Sequence, residues 1–230
     1  MAKRNRKRKQ QEKRQTNWVL VGGVVGAGVV LLLVLLALSW QGSTGATANN
    51  NSLMSYCEAN PEACISRGNP EAEVTIYEVS DYACGHCQDF NVGTAPQLDA
   101  QYVDTGLVRW VSVPYALRNE TVPVTNAALC ANEQGAYFEF GHYLYTHFDE
   151  PDIRQESGVL RAAGDIGLDV DSFQQCVDNN RYVNTVINNI EAARDAGVQG
   201  TPTFFINEDL LRTGRSLTSF QQALQPLVGQ

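Results

Sequence analysis

The tetrapeptide Cys84-Gly85-His86-Cys87 stands where a strand hands over to a helix, and that placement constrains the fold more than any other feature of the chain. Upstream, Val74-Thr75-Ile76-Tyr77-Glu78-Val79 alternates branched apolar with polar residues, the pattern of a strand. Downstream, Gln88 to Tyr102 has helical spacing, with a kink expected at Pro96. Cys84 is therefore expected at a helix N-terminus, where unpaired backbone N–H groups and the helix dipole favour negative charge. A thiol held there loses its proton readily, and the thiolate is the species that exchanges disulfides.

The amino-terminal segment predicts topology. Residues 1–16 carry eight Lys or Arg against Glu12, and 17–40 contain an uncharged run from Trp18 to Trp40. At ~1.5 Å per helical residue that run crosses a ~30 Å hydrocarbon core. The basic flank stays cytoplasmic, so the remainder is expected on the outer side of the membrane. A cleaved signal peptide is the rival reading, supported by Ala46-Thr47-Ala48 but disfavoured by the length of the apolar run. Residues 41–56 read as a polar tether, and 57–230 as one domain long enough for its own core.

From residue 41 onward the chain holds nine Arg, no Lys and 24 Asp or Glu, a net charge of 9 − 24 = −15. That balance disfavours nucleic acid and anionic membrane surfaces as partners and otherwise serves solubility. The six cysteines permit fifteen pairings. Outside the cytoplasm most are expected to be bridged. Cys57 and Cys64 bracket a short turn-rich stretch, Cys84 and Cys87 form the smallest loop, and Cys130 and Cys176 are left to tie two distant helices. With a single Cys-x-x-Cys and no paired His ligands the set does not read as a zinc site. Gln88 in place of His excludes haem attachment. No cofactor is expected beyond the Cys84–Cys87 couple itself.

A second motif lies far downstream. Gly200-Thr201-Pro202-Thr203 runs as a turn into the apolar Phe204-Phe205-Ile206. With the strand–Cys-Gly-His-Cys–helix unit, it resembles the thioredoxin superfamily and that family's cis-proline loop. Between the strand Leu107 to Pro114 and Thr201, segments near 122–134, 137–147, 159–166, 172–178 and 182–196 have helical spacing. A thioredoxin fold interrupted by a helical insert, here at about 120–196, resembles the membrane-anchored DsbA-like thiol oxidases. The fold class implied is α/β: a thioredoxin fold with an inserted helical domain, preceded by one transmembrane helix.

The resemblance implies a thiol:disulfide oxidoreductase, an oxidase that puts disulfides into exported proteins. Cys84 is then the reactive sulfur and Cys87 the buried resolving thiol. His86 stabilises the thiolate, and Glu78 matches an acid that relays protons to the buried cysteine. Thr201 and Pro202 form the loop that holds an extended substrate. Cys130/Cys176 resembles a bridge within the helical insert, while Cys57/Cys64 lies outside the family pattern. The implied partners are reduced or unfolded exported polypeptides, and a membrane oxidoreductase of the DsbB or vitamin-K-epoxide-reductase kind for re-oxidation. The chain is read as a monomer. Gly85 departs from the Pro of many DsbA-type oxidases, and Gly-His is the protein-disulfide-isomerase dipeptide. That departure moves the expected potential nearer to that isomerase's ~−180 mV than to the ~−120 mV of DsbA. A disulfide isomerase or reductase of the same fold, and a tethered binding module with a structural Cys84–Cys87 bridge, are the alternatives.

Overall fold

The computed structural model describes residues 51–229. The expected basic tail and membrane span, and the first part of the tether, lie outside the described residues. Among those described, no helix is long and apolar enough to cross a membrane.

The centre is a five-stranded sheet in the order β1-β3-β2-β4-β5. Its strands are β1 (Ile65–Gly68), β2 (Val74–Ser80), β3 (Val108–Pro114), β4 (Thr203–Ile206) and β5 (Asp209–Leu210). β2 runs parallel to β3 and antiparallel to β4. Like β3, it is paired on both sides and almost continuously buried, as a strand covered on both faces is. The two-residue side-chain alternation sorts it cleanly. Val74 and Ile76 face one core with Trp110, Phe204 and Phe220, whereas Tyr77 and Val79 face another with Val111, Val113 and Phe205.

The first core holds the reactive helix in place. The chain leaves β2, forms α2 (Gly85–Asp89), passes a π turn at Phe90–Thr94, then forms α3 (Ala95–Leu98) and a second π turn at Asp99–Val103. Pro96 stands in the first turn of α3, where its missing N–H is least costly, with a π turn on either side instead of a continuous α-helix. Phe90 secures this helical run from below: its ring lies 4.5 Å from Phe204, which meets Phe220 edge-on at 5.0 Å. Phe220 comes from the last helix, α9 (Leu217–Val228). Such aromatic pairs contribute roughly 0.5–1.5 kcal/mol each beyond the area they bury.

The second core corrects the tether. Its last residues belong to α1 (Asn51–Ala59), whose Leu53 and Met54 are buried against the sheet face opposite the reactive helix. The Tyr56 hydroxyl, donating to Asn189 Oδ1 at 2.7 Å, adds a polar tie to these two apolar contacts. Cys57 at the end of α1 is bonded to Cys64 beside β1, closing that corner.

Between β3 and β4 lie five helices: α4 (Val122–Asn132), α5 (Tyr137–Thr146), α6 (Glu156–Asp165), α7 (Val170–Asp178) and α8 (Val183–Asp195). They enclose a third core built on Leu129, Phe140, Leu144, Ile153 and Phe173. Cys130 of α4 is bonded to Cys176 of α7 within it. Tyr82 and Cys87 also belong to this core, so the reactive helix is wedged between sheet and insert.

Candidate active site

The site is assembled at the carboxyl end of β2. Asp81, buried immediately after the strand, shapes the turn into α2. One carboxylate oxygen accepts the Ala83 N–H at 2.6 Å; the other accepts the Leu117 N–H at 2.6 Å and the Thr121 hydroxyl at 2.8 Å. The turn that carries the cysteines is thereby tied to the start of the helical insert. The Cys84 N–H donates to the Asp81 carbonyl, and the Cys84 carbonyl accepts from the Cys87 and Gln88 N–H groups at 3.0 Å each. Cys84 is thus the N-cap of α2, with extended backbone at φ −93°.

The two thiols face different surroundings. Both are unbonded here, Cys84 partly exposed and Cys87 buried. Burial pushes the Cys87 thiol well above its ordinary range, and contacts from the Asp81 backbone and the Thr201 side chain offset only part of that. Cys84 Sγ lies 3.2 Å from the Thr201 carbonyl oxygen. The Thr201–Pro202 peptide bond is cis. The structure thus brings the two sequence motifs, 117 residues apart, into hydrogen-bond contact.

Glu78 is buried on the central strand. Register pairs it with Ser112 on one side and Phe204 on the other, on the face beneath the reactive helix. Its carboxylate accepts from the Ser80 hydroxyl, from Asn91 Nδ2 at 2.8 Å and from Trp110 Nε1 at 3.2 Å. Burial raises its pKa, with Ser80, Asn91, Arg67 and Trp110 pulling the other way. The same Asn91 amide donates to the Cys87 carbonyl at 3.0 Å, joining the acid to the buried cysteine's turn. A cleft of about 360 Å³, lined by Glu78, Asn91, Arg67 and Tyr137 among others, borders the carboxyl group.

This arrangement predicts a pH-dependent stability. A carboxyl whose folded pKa is raised stabilises the fold fully below its unfolded value, near 4.5, and loses that contribution as pH rises through the folded value. Glu78→Gln removes the loss. The stability difference between variant and wild type is therefore expected to move in the variant's favour from pH 4 to pH 7. Urea unfolding at the two pH values measures it; a pH-independent difference would contradict the assignment of a buried, proton-retaining carboxyl.

His86 is exposed, and its contact is one that sequence reasoning missed. Arg215 Nη2 lies 2.8 Å from His86 Nδ1. A guanidinium only donates, so Nδ1 accepts and the ring hydrogen sits on Nε2. Asp89, one turn on, is 3.7 Å from the same nitrogen. Among the described residues the ring makes no hydrogen bond to Cys84. Arg215 lies 129 residues away, on the loop between β5 and α9, and no spacing rule connects the two. Asn91, by contrast, follows Cys87 by four residues on the same helical run, so its place on the same face was open to inference. Among the described residues no cluster of His, Cys, Asp and Glu is arranged to hold a metal ion.

Comparisons with known proteins agree with this geometry. A family model described as Thioredoxin matches residues 60–226. The Na(+)/H(+) antiporter NhaA 3 of Salinispora tropica is 32% identical over 157 residues, covering 64% of this chain and 22% of that protein. The chain thus spans about a fifth of the length of that curated relative. A thioredoxin-like oxidoreductase from Silicibacter pomeroyi DSS-3 superposes with a TM-score of 0.62 at 27% identity, over 76% of this chain and 95% of that one. The thiol-disulfide exchange protein alpha-DsbA2 from Wolbachia pipientis superposes with a TM-score of 0.62 at 25% identity, over 79% of this chain and 98% of that one. With a family model matching nearly all of the described residues, and a superposition covering 98% of a DsbA protein, the chain belongs to the thioredoxin family and is DsbA-like within it.

Proposed function

We propose that the chain is a thiol:disulfide oxidoreductase that oxidises dithiols in exported polypeptides. The observation that carries this reading is the asymmetry of the pair. Cys84 is reachable and touches the Thr201 carbonyl, while Cys87 is buried and resists ionisation. A merely structural bridge has no need of an exposed sulfur set beside an open backbone carbonyl. The Thr201 backbone offers an extended substrate a strand-like partner, which suits many sequences because main-chain contacts ignore side chains.

In the oxidised enzyme a substrate thiolate attacks Cys84 Sγ. A sulfur–sulfur bond forms between substrate and Cys84, and the Cys84–Cys87 bond breaks. Cys87 leaves as a thiolate in a buried place that disfavours charge, and it takes up a proton. Glu78, whose carboxyl holds its proton more tightly than usual, is the donor, working through the polar cleft beside it. A second substrate thiolate then attacks the substrate's own sulfur in the mixed disulfide and releases Cys84. The substrate has lost two electrons, and the enzyme has become the dithiol. His86, held by Arg215, donates its remaining ring hydrogen towards the sulfur as it is released.

Renewed turnover requires an electron acceptor. A membrane oxidoreductase of the DsbB or vitamin-K-epoxide-reductase kind fills that place, with the span at 17–40 holding the enzyme beside it on the outer side of the membrane. That placement is supported by the basic run and the uncharged stretch, both outside the described residues. Trapping tests the reading. Cys87→Ser keeps the Cys84 thiolate, which attacks a polypeptide disulfide and releases one of its two sulfurs as a thiolate, but it lacks the Cys87 thiol that would displace the polypeptide from Cys84 again. It is expected to accumulate covalent, reductant-sensitive adducts with disulfide-containing polypeptides. Absence of such adducts would contradict the reading and favour a tethered binding module.

A further inference from the structure

Beside the cis-proline loop a groove of about 390 Å³ runs along Pro202, Thr203, Phe204 and Leu210 and is flanked by Arg212 and Arg215. It begins at the reactive tip, since Thr201 meets Cys84 and Arg215 meets His86. Charge is what distinguishes it. The chain from residue 41 onward carries a net −15, yet two of its nine arginines stand together at this groove. Elsewhere Arg67, Arg161 and Arg181 are paired with carboxylates, while Arg109, Arg118, Arg154 and Arg194 make no ion pair among the described residues, so what sets this groove apart is that two unpaired arginines share it. Arg212 and Arg215 are exposed, and among the described residues neither lies within ion-pair distance of an acid. Asp89 on the reactive helix lies 3.7 Å from His86, and the exposed Asp209 of β5 lines an adjoining pocket together with Arg212. At physiological salt, exposed charges beyond about 8 Å are largely screened, so the two arginines and these near acids, rather than the acidic surface at large, set the charge that a bound segment meets.

We propose that this groove selects polypeptide segments that carry an acidic side chain close to the reacting cysteine, with Arg212 and Arg215 setting the preference. The inference rests on the oxidase reading above and adds a specificity to it. With substrate sulfur at Cys84 and its backbone extended past Thr201, residues up to three positions from the cysteine fall within about 10 Å of it, along the groove. The partly exposed side chains of Pro202, Leu210 and Leu211 contact the segment, and the two guanidinium groups meet its carboxylate.

The test uses the full-length chain in neutral-detergent micelles. Three reduced dithiol peptides differ only in Asp, Asn or Lys two residues after the first cysteine. Each rate of oxidation is divided by that peptide's rate with a small-molecule disulfide, which removes the effect of the neighbouring charge on the thiol itself. Asp is expected to exceed Lys by about threefold to tenfold at low salt, the range two exposed charge contacts supply, and the ratio is expected to fall in 0.5 M NaCl. The ratio is expected to collapse towards one in the Arg212→Gln/Arg215→Gln variant and to persist in Arg194→Gln, an exposed arginine on α8. Equal rates for the three peptides, or a preference that survives the double variant, would overturn this inference and leave the oxidase reading standing. Failure to oxidise even the Asn peptide would overturn both.

Discussion

Cys84→Ser is expected to remove dithiol oxidation almost entirely, a fall of about a thousandfold or more, the scale on which loss of a nucleophile usually acts. The expectation follows from access. Cys84 is the only one of the two unbonded sulfurs with exposed surface, and the Thr201 carbonyl stands 3.2 Å from it. With serine there, Cys87 keeps its thiol but is enclosed among the residues of the helical insert. Its raised pKa leaves little thiolate at neutral pH. Neither attack by Cys87 nor attack upon it has a path. The insulin-reduction and peptide-oxidation rates of Cys84→Ser and Cys87→Ser, measured side by side, check this. Full activity in Cys84→Ser would show that the roles of the two cysteines are wrongly assigned.

The second large effect is on stability. Replacing both Cys130 and Cys176 with alanine is expected to cost about 4 kcal/mol, from the loop-closure entropy of a 46-residue separation. For a domain of this size the melting temperature falls by roughly 10 °C. Both sulfurs lie in the core of the insert, so the loss acts on the elements that enclose Cys87. The same double replacement at Cys57 and Cys64, seven residues apart, is expected to cost only about 2 kcal/mol. Thermal unfolding with the Cys84–Cys87 couple held in one redox state measures both. A smaller loss at Cys130/Cys176 than at Cys57/Cys64 would mean that chain entropy does not govern the insert's stability.

What could be read from the sequence was what local chemistry encodes. The strand under Glu78, the turn at Cys84 and the proline loop each carry a pattern within ten residues, and the five helices of the insert repeat their apolar positions over two or three turns. What escaped had either no pattern or no local partner. β1 and β5 are four and two residues long, too short for alternation to register. α1 hides Leu53 and Met54 in a composition typical of linkers. The direct contact between Arg215 and His86 exists only because the loop after β5 folds back over the helix tip. The burial of Glu78 follows from its place on the central strand, between β3 and β4, a property of strand order that no stretch of sequence displays.

The most direct measurement is the reduction potential of the Cys84–Cys87 couple, by equilibration with glutathione. An exposed attacking sulfur paired with a buried one is expected to give a value between about −180 and −120 mV, well above thioredoxin's ~−270 mV. A value at or below −270 mV would contradict the oxidase and assign the couple to reduction or to structure.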